Sequence, residues 1–251
     1  MCTVVLLLRP GHDWPLMLAA NRDERLDRAW DTPGPWWPEH PGVVAGRDRT
    51  GGGTWMGMNR HGVVAVVLNR PGSLGPAPGK RSRGELPLLA LAHDTAADAA
   101  AAIAALDAGA WRGFNLVVAD AAGAIFLRGL GHGRPEVEAL SPGLHMVTAR
   151  DPDDFASARV ARHLPRLRAA PAPETDDWQG WRAILADREG SAAEQLNVVP
   201  RAGFGTVCSA LLALPRPPLA DNAARGPGAP YWRFAPGPPH EARFAPVDLP
   251  G

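Results

Sequence analysis

Cysteine is nearly missing from this sequence. Of 251 residues two are cysteine, Cys2 and Cys208. Two thiols cannot staple a small secreted scaffold, so the expected setting is cytoplasmic and reducing. An excess of either charge is missing too, since 26 Lys and Arg balance 26 Asp and Glu. A neutral chain carries no electrostatic footprint for nucleic acid or for an anionic bilayer, and neither is expected as a partner. Long apolar runs are absent. MCTVVLLL ends at Arg9-Pro10, too short for a membrane span and without the basic leader of a signal peptide. No later run reaches spanning length without a charge or a proline. Lysine and isoleucine are scarce beside Ala, Arg, Gly and Pro, a bias of genome composition that carries little function. No repeat or linker stands out, so residues 1–251 are read as one domain.

What is present is a globular chain, 45% hydrophobic and long enough to bury a core. Residues 2–8 are apolar and rich in β-branched side chains, as in a strand covered on both faces. RPGHDWP turns the chain, and LMLAANRDE (16–24) reads as a second strand of the same hairpin. Further hairpins are expected over 54–69 and over 114–129, and strands at 144–149, 203–215 and 231–236. Residues 31–42 and 70–85 read as loops, the second flexible. Residues 86–109 read as helical with an N-cap at Thr95; 153–167 and 178–187 are further helices. Arg159, Arg162 and Arg166 are expected on the wet face of the first of these. Strands and helices come in blocks rather than as βαβ units, which makes the class α+β with mainly antiparallel sheets.

Cys2 is the residue most suited to chemistry. With Met1 removed it carries a thiol and a free α-amine, and an amine titrating near pH ~8 can act as base for its own side chain. Otherwise it is a small hydrophobe at a strand start. The hairpin brings Asn21, Arg22, Asp23 and Glu24 back toward it. Asp23 could hold the amine or thiol in place, and Arg22 could favour the thiolate or bind a carboxylate. The same four residues could instead form a surface ion-pair cluster. Asn69, at the end of a strand before Arg70-Pro71, could offer an amide toward a cleft or simply form the turn. The histidines have no ligand spacing, so no structural zinc is expected. His145 and Met146 could ligate heme iron, yet neighbours on a strand face opposite ways. Trp36, Trp37 and Trp55 are read as packing residues before ligand-groove residues.

LAANRDE (18–24), GGTWMG (52–57), RGEL (83–86), GFNLVVAD (113–120), SPGLHM (141–146) and GFGTVCS (203–209) occur in the order of the blocks of the NRDE family. This family is also called the transport-and-Golgi-organisation protein 2 family, and the resemblance spans roughly residues 1–215. More distantly, MCT, NRD (21–23), residues 57–72, 116–127 and 144–155 resemble choloylglycine hydrolases and penicillin V acylases. That resemblance implies an N-terminal-nucleophile (Ntn) hydrolase, an αββα four-layer sandwich. It implies Cys2 as nucleophile, Asp23 as the aspartate holding it and Asn69 as part of the oxyanion hole. Asn21, Arg22, Glu24 and Arg150 are the accompanying candidates for binding. The pattern departs at three places: Thr148 is followed by Ala149 where the acylases carry a second asparagine, Val207 stands where related proteins carry arginine, and Arg22 follows Asn21 where the acylase arginine precedes its asparagine.

Two functions follow from the resemblance. One is cleavage of an amide or related acyl bond in a small molecule, with no cofactor. The other is binding and trafficking of heme, or of acyl-coenzyme A or lipid, on the same scaffold.

Overall fold

A computed structural model describes residues 2–174, 177–217 and 228–249. The chain divides into two compact units. The first comprises Met1–Asp27, Ser141–Thr148 and Pro152–Pro246; the second Arg28–Leu140, Ala149–Asp151 and Val247–Gly251.

The first unit is a six-stranded antiparallel sheet with helices on one face. Strand β1 (Thr3–Leu8) and strand β2 (Leu16–Arg25) form the expected hairpin, in register from Thr3↔Asn21 to Leu8↔Leu16. β10 (Gly143–Val147) flanks β1, and β11 (Phe204–Leu214) flanks β2. β12 (Tyr231–Ala235) and the short β13 (Ala245–Pro246) complete the sheet. Helices α3 (Ala158–Ala169) and α4 (Gln179–Leu185) cover the face that carries Val5, Leu7, Met17, Ala19 and Leu211. Val160, Leu164, Trp178 and Trp181 pack onto these residues. Burying each such side chain contributes roughly 1.5–3 kcal/mol, so the odd-numbered positions of β1 and β2 fix the strand register against a one-residue slip.

The second unit is a seven-stranded antiparallel sheet in chain order. Its strands are β3 (Trp30–Gly34), β4 (Val44–Asp48), β5 (Met56–Met58), β6 (Val64–Asn69), β7 (Phe114–Asp120), β8 (Gly123–Gly129) and β9 (Glu136–Ala139). Helices α1 (Glu85–Ala90) and α2 (Ala96–Ala104) cover the face of Ala65, Val67, Phe114, Leu116 and Val118. Thr95 caps α2 by accepting from the Asp98 N–H, as expected from the sequence. Trp37 lies in this core, and Trp36 sits under the Arg47 guanidinium at 4.5 Å.

The GGTWMG and RGEL blocks meet here. Thr54 N donates to Gly84 O at 2.8 Å, and a Cβ on Gly53 would fall 2.2 Å from the Gly84 carbonyl carbon. Only glycine allows two backbones so close. The loop that follows Asn69 is pinned rather than loose. Arg112 donates to the carbonyls of Gly72 and Leu74, both at 2.6 Å, and Arg83 to that of Ser73 at 2.6 Å. Among the described residues no helix is long and apolar enough to cross a membrane.

Candidate active site

The pleat of β2 splits the NRDE stretch between two faces. Asn21 and Asp23 continue the row of Met17 and Ala19 and point toward the helices. Arg22 and Glu24 point to the other face. Thr3 lies opposite Asn21 and also turns toward the helices, so continuing β1 back by one residue puts Cys2 on the face of Arg22.

The Asp23 side chain is 0% exposed. Its Oδ2 accepts from Arg159 Nη1 at 2.9 Å, and its Oδ1 accepts from Thr206 Oγ1 at 2.7 Å. The same Arg159 nitrogen donates to Thr3 Oγ1 at 2.9 Å. Thr206 Oγ1 in turn accepts from Val198 N at 2.7 Å. Cys2 Sγ donates to the Asp23 backbone carbonyl at 3.8 Å, which ties the thiol to the same residue. Burial pushes the Cys2 thiol up from its ordinary range; the terminal ammonium opposes that, the Asp23 charge adds to it, and the hydrogen bond to the Asp23 carbonyl and the Arg22 charge oppose it. The resting group is therefore a thiol, and a base is needed to make it a nucleophile.

A β-bulge at Val207 serves this arrangement. Thr206 stands opposite Asp23 and Cys208 opposite Arg22, with one residue extra between them. Cys208 thus joins Cys2 around Arg22, and burial pushes its thiol far up. Arg22 is 4% exposed, and its Nη2 lies 3.8 Å from Glu24 Oε2. Asn21 is built into the structure. Its Nδ2 donates to Leu185 O at 3.0 Å and Leu196 O at 2.8 Å, and its Oδ1 accepts from Ser209 Oγ at 2.7 Å. Both of its amide N–H groups and its carbonyl oxygen are engaged by the protein.

Cys2, Asn21, Arg22, Asp23 and Glu24 thus belong to the first unit, while Asn69 and Arg150 belong to the second. Asn69 closes β6 opposite Phe114, on the face of Ala65 and Val67. Arg150 is exposed, and its carbonyl accepts from Asn115 Nδ2 at 2.7 Å. The next residue, Asp151, is bound by Arg70 Nη1 at 2.8 Å and by Arg128.

Two participants escaped the sequence reading. Arg159 was expected on the wet face of its helix, but it is 3% exposed and faces the sheet. Thr206 was passed over inside an apolar strand. The one hint was Thr206 two places before Cys208 in the GFGTVCS block. Val207 stands where related proteins carry arginine; the cation against Asp23 here comes from α3. His145 and Met146 do not make a heme site. Both ring nitrogens of His145 are engaged, with Asp153 Oδ2 and with Ser141 O, each at 2.8 Å, and Met146 is fully buried in the helix-side core.

A family model described as Transport and Golgi organisation 2 matches residues 1–177. No curated protein matches the sequence. Among solved structures the chain is similar to a Caenorhabditis elegans N-acylethanolamine-hydrolyzing acid amidase ortholog, with TM-score 0.59 and 12% identity over 92% of this chain and 99% of that one. It is also similar to a cysteine-to-alanine mutant of the conjugated bile acid hydrolase from Clostridium perfringens, with TM-score 0.53 and 11% identity over 99% of this chain and 92% of that one. At these identities the likeness establishes the fold, which is the expected α+β Ntn-hydrolase fold.

Proposed function

Because the chain belongs to the Transport and Golgi organisation 2 family and shares its fold with an acid amidase and a bile acid hydrolase, we propose that it is a cysteine Ntn hydrolase. It would cleave an amide or related acyl bond of a small molecule in a reducing compartment. The observation that carries this reading is the fully buried Asp23 carboxylate, held from two sides, whose own carbonyl accepts the hydrogen bond of the Cys2 thiol.

The chemistry follows from a thiol kept protonated by burial. Processing that leaves Cys2 first in the chain frees its α-amine. The amine takes the Sγ proton as sulfur bonds to the substrate carbonyl carbon. The carbonyl oxygen becomes an oxyanion, which N–H donors must stabilise. As the C–N bond breaks, the ammonium returns its proton to the leaving amine, and a thioester remains on Cys2. Water then attacks the thioester, the amine again takes a proton, and acid and thiol are released. Asp23 holds the strand carrying the nucleophile, and Arg22, on the same face as Cys2, suits a substrate with an anionic group nearby.

Heme is one of the ligands the resemblance suggested, beside acyl-coenzyme A or lipid. The engaged ring of His145 and the buried Met146 do not fit iron ligation, and no step is assigned to it.

Intact-mass measurement and a screen of small amides, lactams and acyl conjugates test the proposal. The expected mature chain begins at Cys2. Cys2→Ala should fold normally and lose about 10³-fold or more of the turnover. A mature chain in which Cys2 remains in an internal peptide bond overturns the mechanism.

A further inference from the structure

Asp23 brings a cost to any nucleophile beside it. A buried carboxylate raises the proton affinity of a neighbouring thiol or amine, which pushes the useful range of the pair toward alkaline pH. The answering charge comes from α3. Arg159 Nη1 lies 2.9 Å from Asp23 Oδ2, and with side chains 3% and 0% exposed the two are little screened by solvent. The same nitrogen reaches Thr3 Oγ1 at 2.9 Å, on the residue that follows Cys2. One guanidinium therefore joins the helix, the carboxylate of β2 and the first position of β1.

The geometry points to Arg159 as a positioning residue that cancels the charge of Asp23 and locks β1 against it, so that Cys2 works near neutral pH. This rests on the hydrolase reading above. Other charged or titratable groups near the pair are Arg22 and Glu24 of β2, Cys208 of β11 and His163, one turn along α3. His163 is held as a neutral ring: its Nε2–H donates to Glu194 O at 2.7 Å and its Nδ1 accepts from Arg166. Asp187, on the connection before β11, is paired with Arg162 and Arg166. Arg159 is thus a cation in direct contact with the Asp23 carboxylate, and the terminal ammonium beside Cys2 is a further charge near it.

The test is the pH dependence of Cys2 alkylation by iodoacetamide, read on the Cys2 peptide by mass spectrometry, with circular dichroism to confirm folding. Arg159→Gln should move the midpoint up by about one unit or more, and Arg159→Lys should bring it most of the way back. Asp23→Asn, which leaves the cation alone, should move it down. The double variant Asp23→Asn/Arg159→Gln, with neither charge, should lie near the wild type. A purely structural role would change the melting temperature and leave the midpoints together. An unchanged midpoint in Arg159→Gln overturns the inference. If that variant does not fold, equal midpoints for Asp23→Asn and the double variant overturn it. A wild type whose Cys2 shows no titration between about pH 5 and 10 fails the hydrolase reading itself and takes the inference with it. A titrating wild type that is indifferent to these charges fails the inference alone.

Discussion

The four letters of the NRDE stretch look alike on the page, yet each side chain has a different task. Asn21 is a structural bracket for the chain segments around Leu185 and Leu196. Its replacement by alanine leaves two buried carbonyls and the Ser209 hydroxyl short of a partner. Asn21→Ala should therefore lower stability by about 3 kcal/mol or more, measured by urea denaturation with an unchanged slope. A substrate-binding Asn21 would instead show normal stability and a raised KM. Polarity and nearness to Cys2 were legible in the sequence, since both follow from a hairpin. The division of labour was not, because it depends on which pleat each residue occupies and on what the other elements bring. Arg159 shows the limit most clearly. A charged helix residue reads as solvated, and only the buried carboxylate facing it makes burial affordable.

Hairpins and caps were the elements most easily read. β1–β2, β5–β6 and β7–β8 announce themselves by apolar runs broken at turn residues, and Thr95 by its place before an alanine-rich run. β3, β4 and β9 were missed. β3 contains proline and glycine, and the four residues of β9 are all exposed, so neither shows an apolar face. Helix α3 starts later than the expected 153, because Asp153 adopts a φ of 58° and its carboxylate binds β10. Asp153 Oδ1 accepts from Met146 N at 2.7 Å while Oδ2 faces His145 Nδ1. Its hydrogen bond to Asp153 raises the His145 pKa above the usual value, against partial burial. A raised pKa means that the folded form holds the proton more tightly than the unfolded chain. The stabilisation is thus complete below the ordinary histidine value of about 6.5 and fades as pH rises through the folded one. His145→Gln should therefore lower the melting temperature most at mildly acidic pH, with the gap to wild type narrowing as the buffer is made alkaline. A gap that widens with pH contradicts this assignment.

At the scale of the whole molecule the chain is woven rather than laid down in sequence. β2, written near the start, receives one neighbour at once from β1 and the other only from β11; β1 waits for β10. Pairings between such distant segments fold slowly, because a long loop must close before any contact rewards it. A variant truncated before Phe204 should lack the cooperative melting transition and should alkylate at Cys2 at the rate of an unfolded peptide; native-like protection there would contradict this weave. The two-sided hold on Asp23, with Thr3 tied in through Arg159, has a corollary in the cell. Its parts are translated early, midway and late, with Thr3 and Asp23 first, Arg159 next and Thr206 last. A ribosome that stalls before Thr206 therefore releases a polypeptide in which the Asp23 carboxylate lacks one of its two partners.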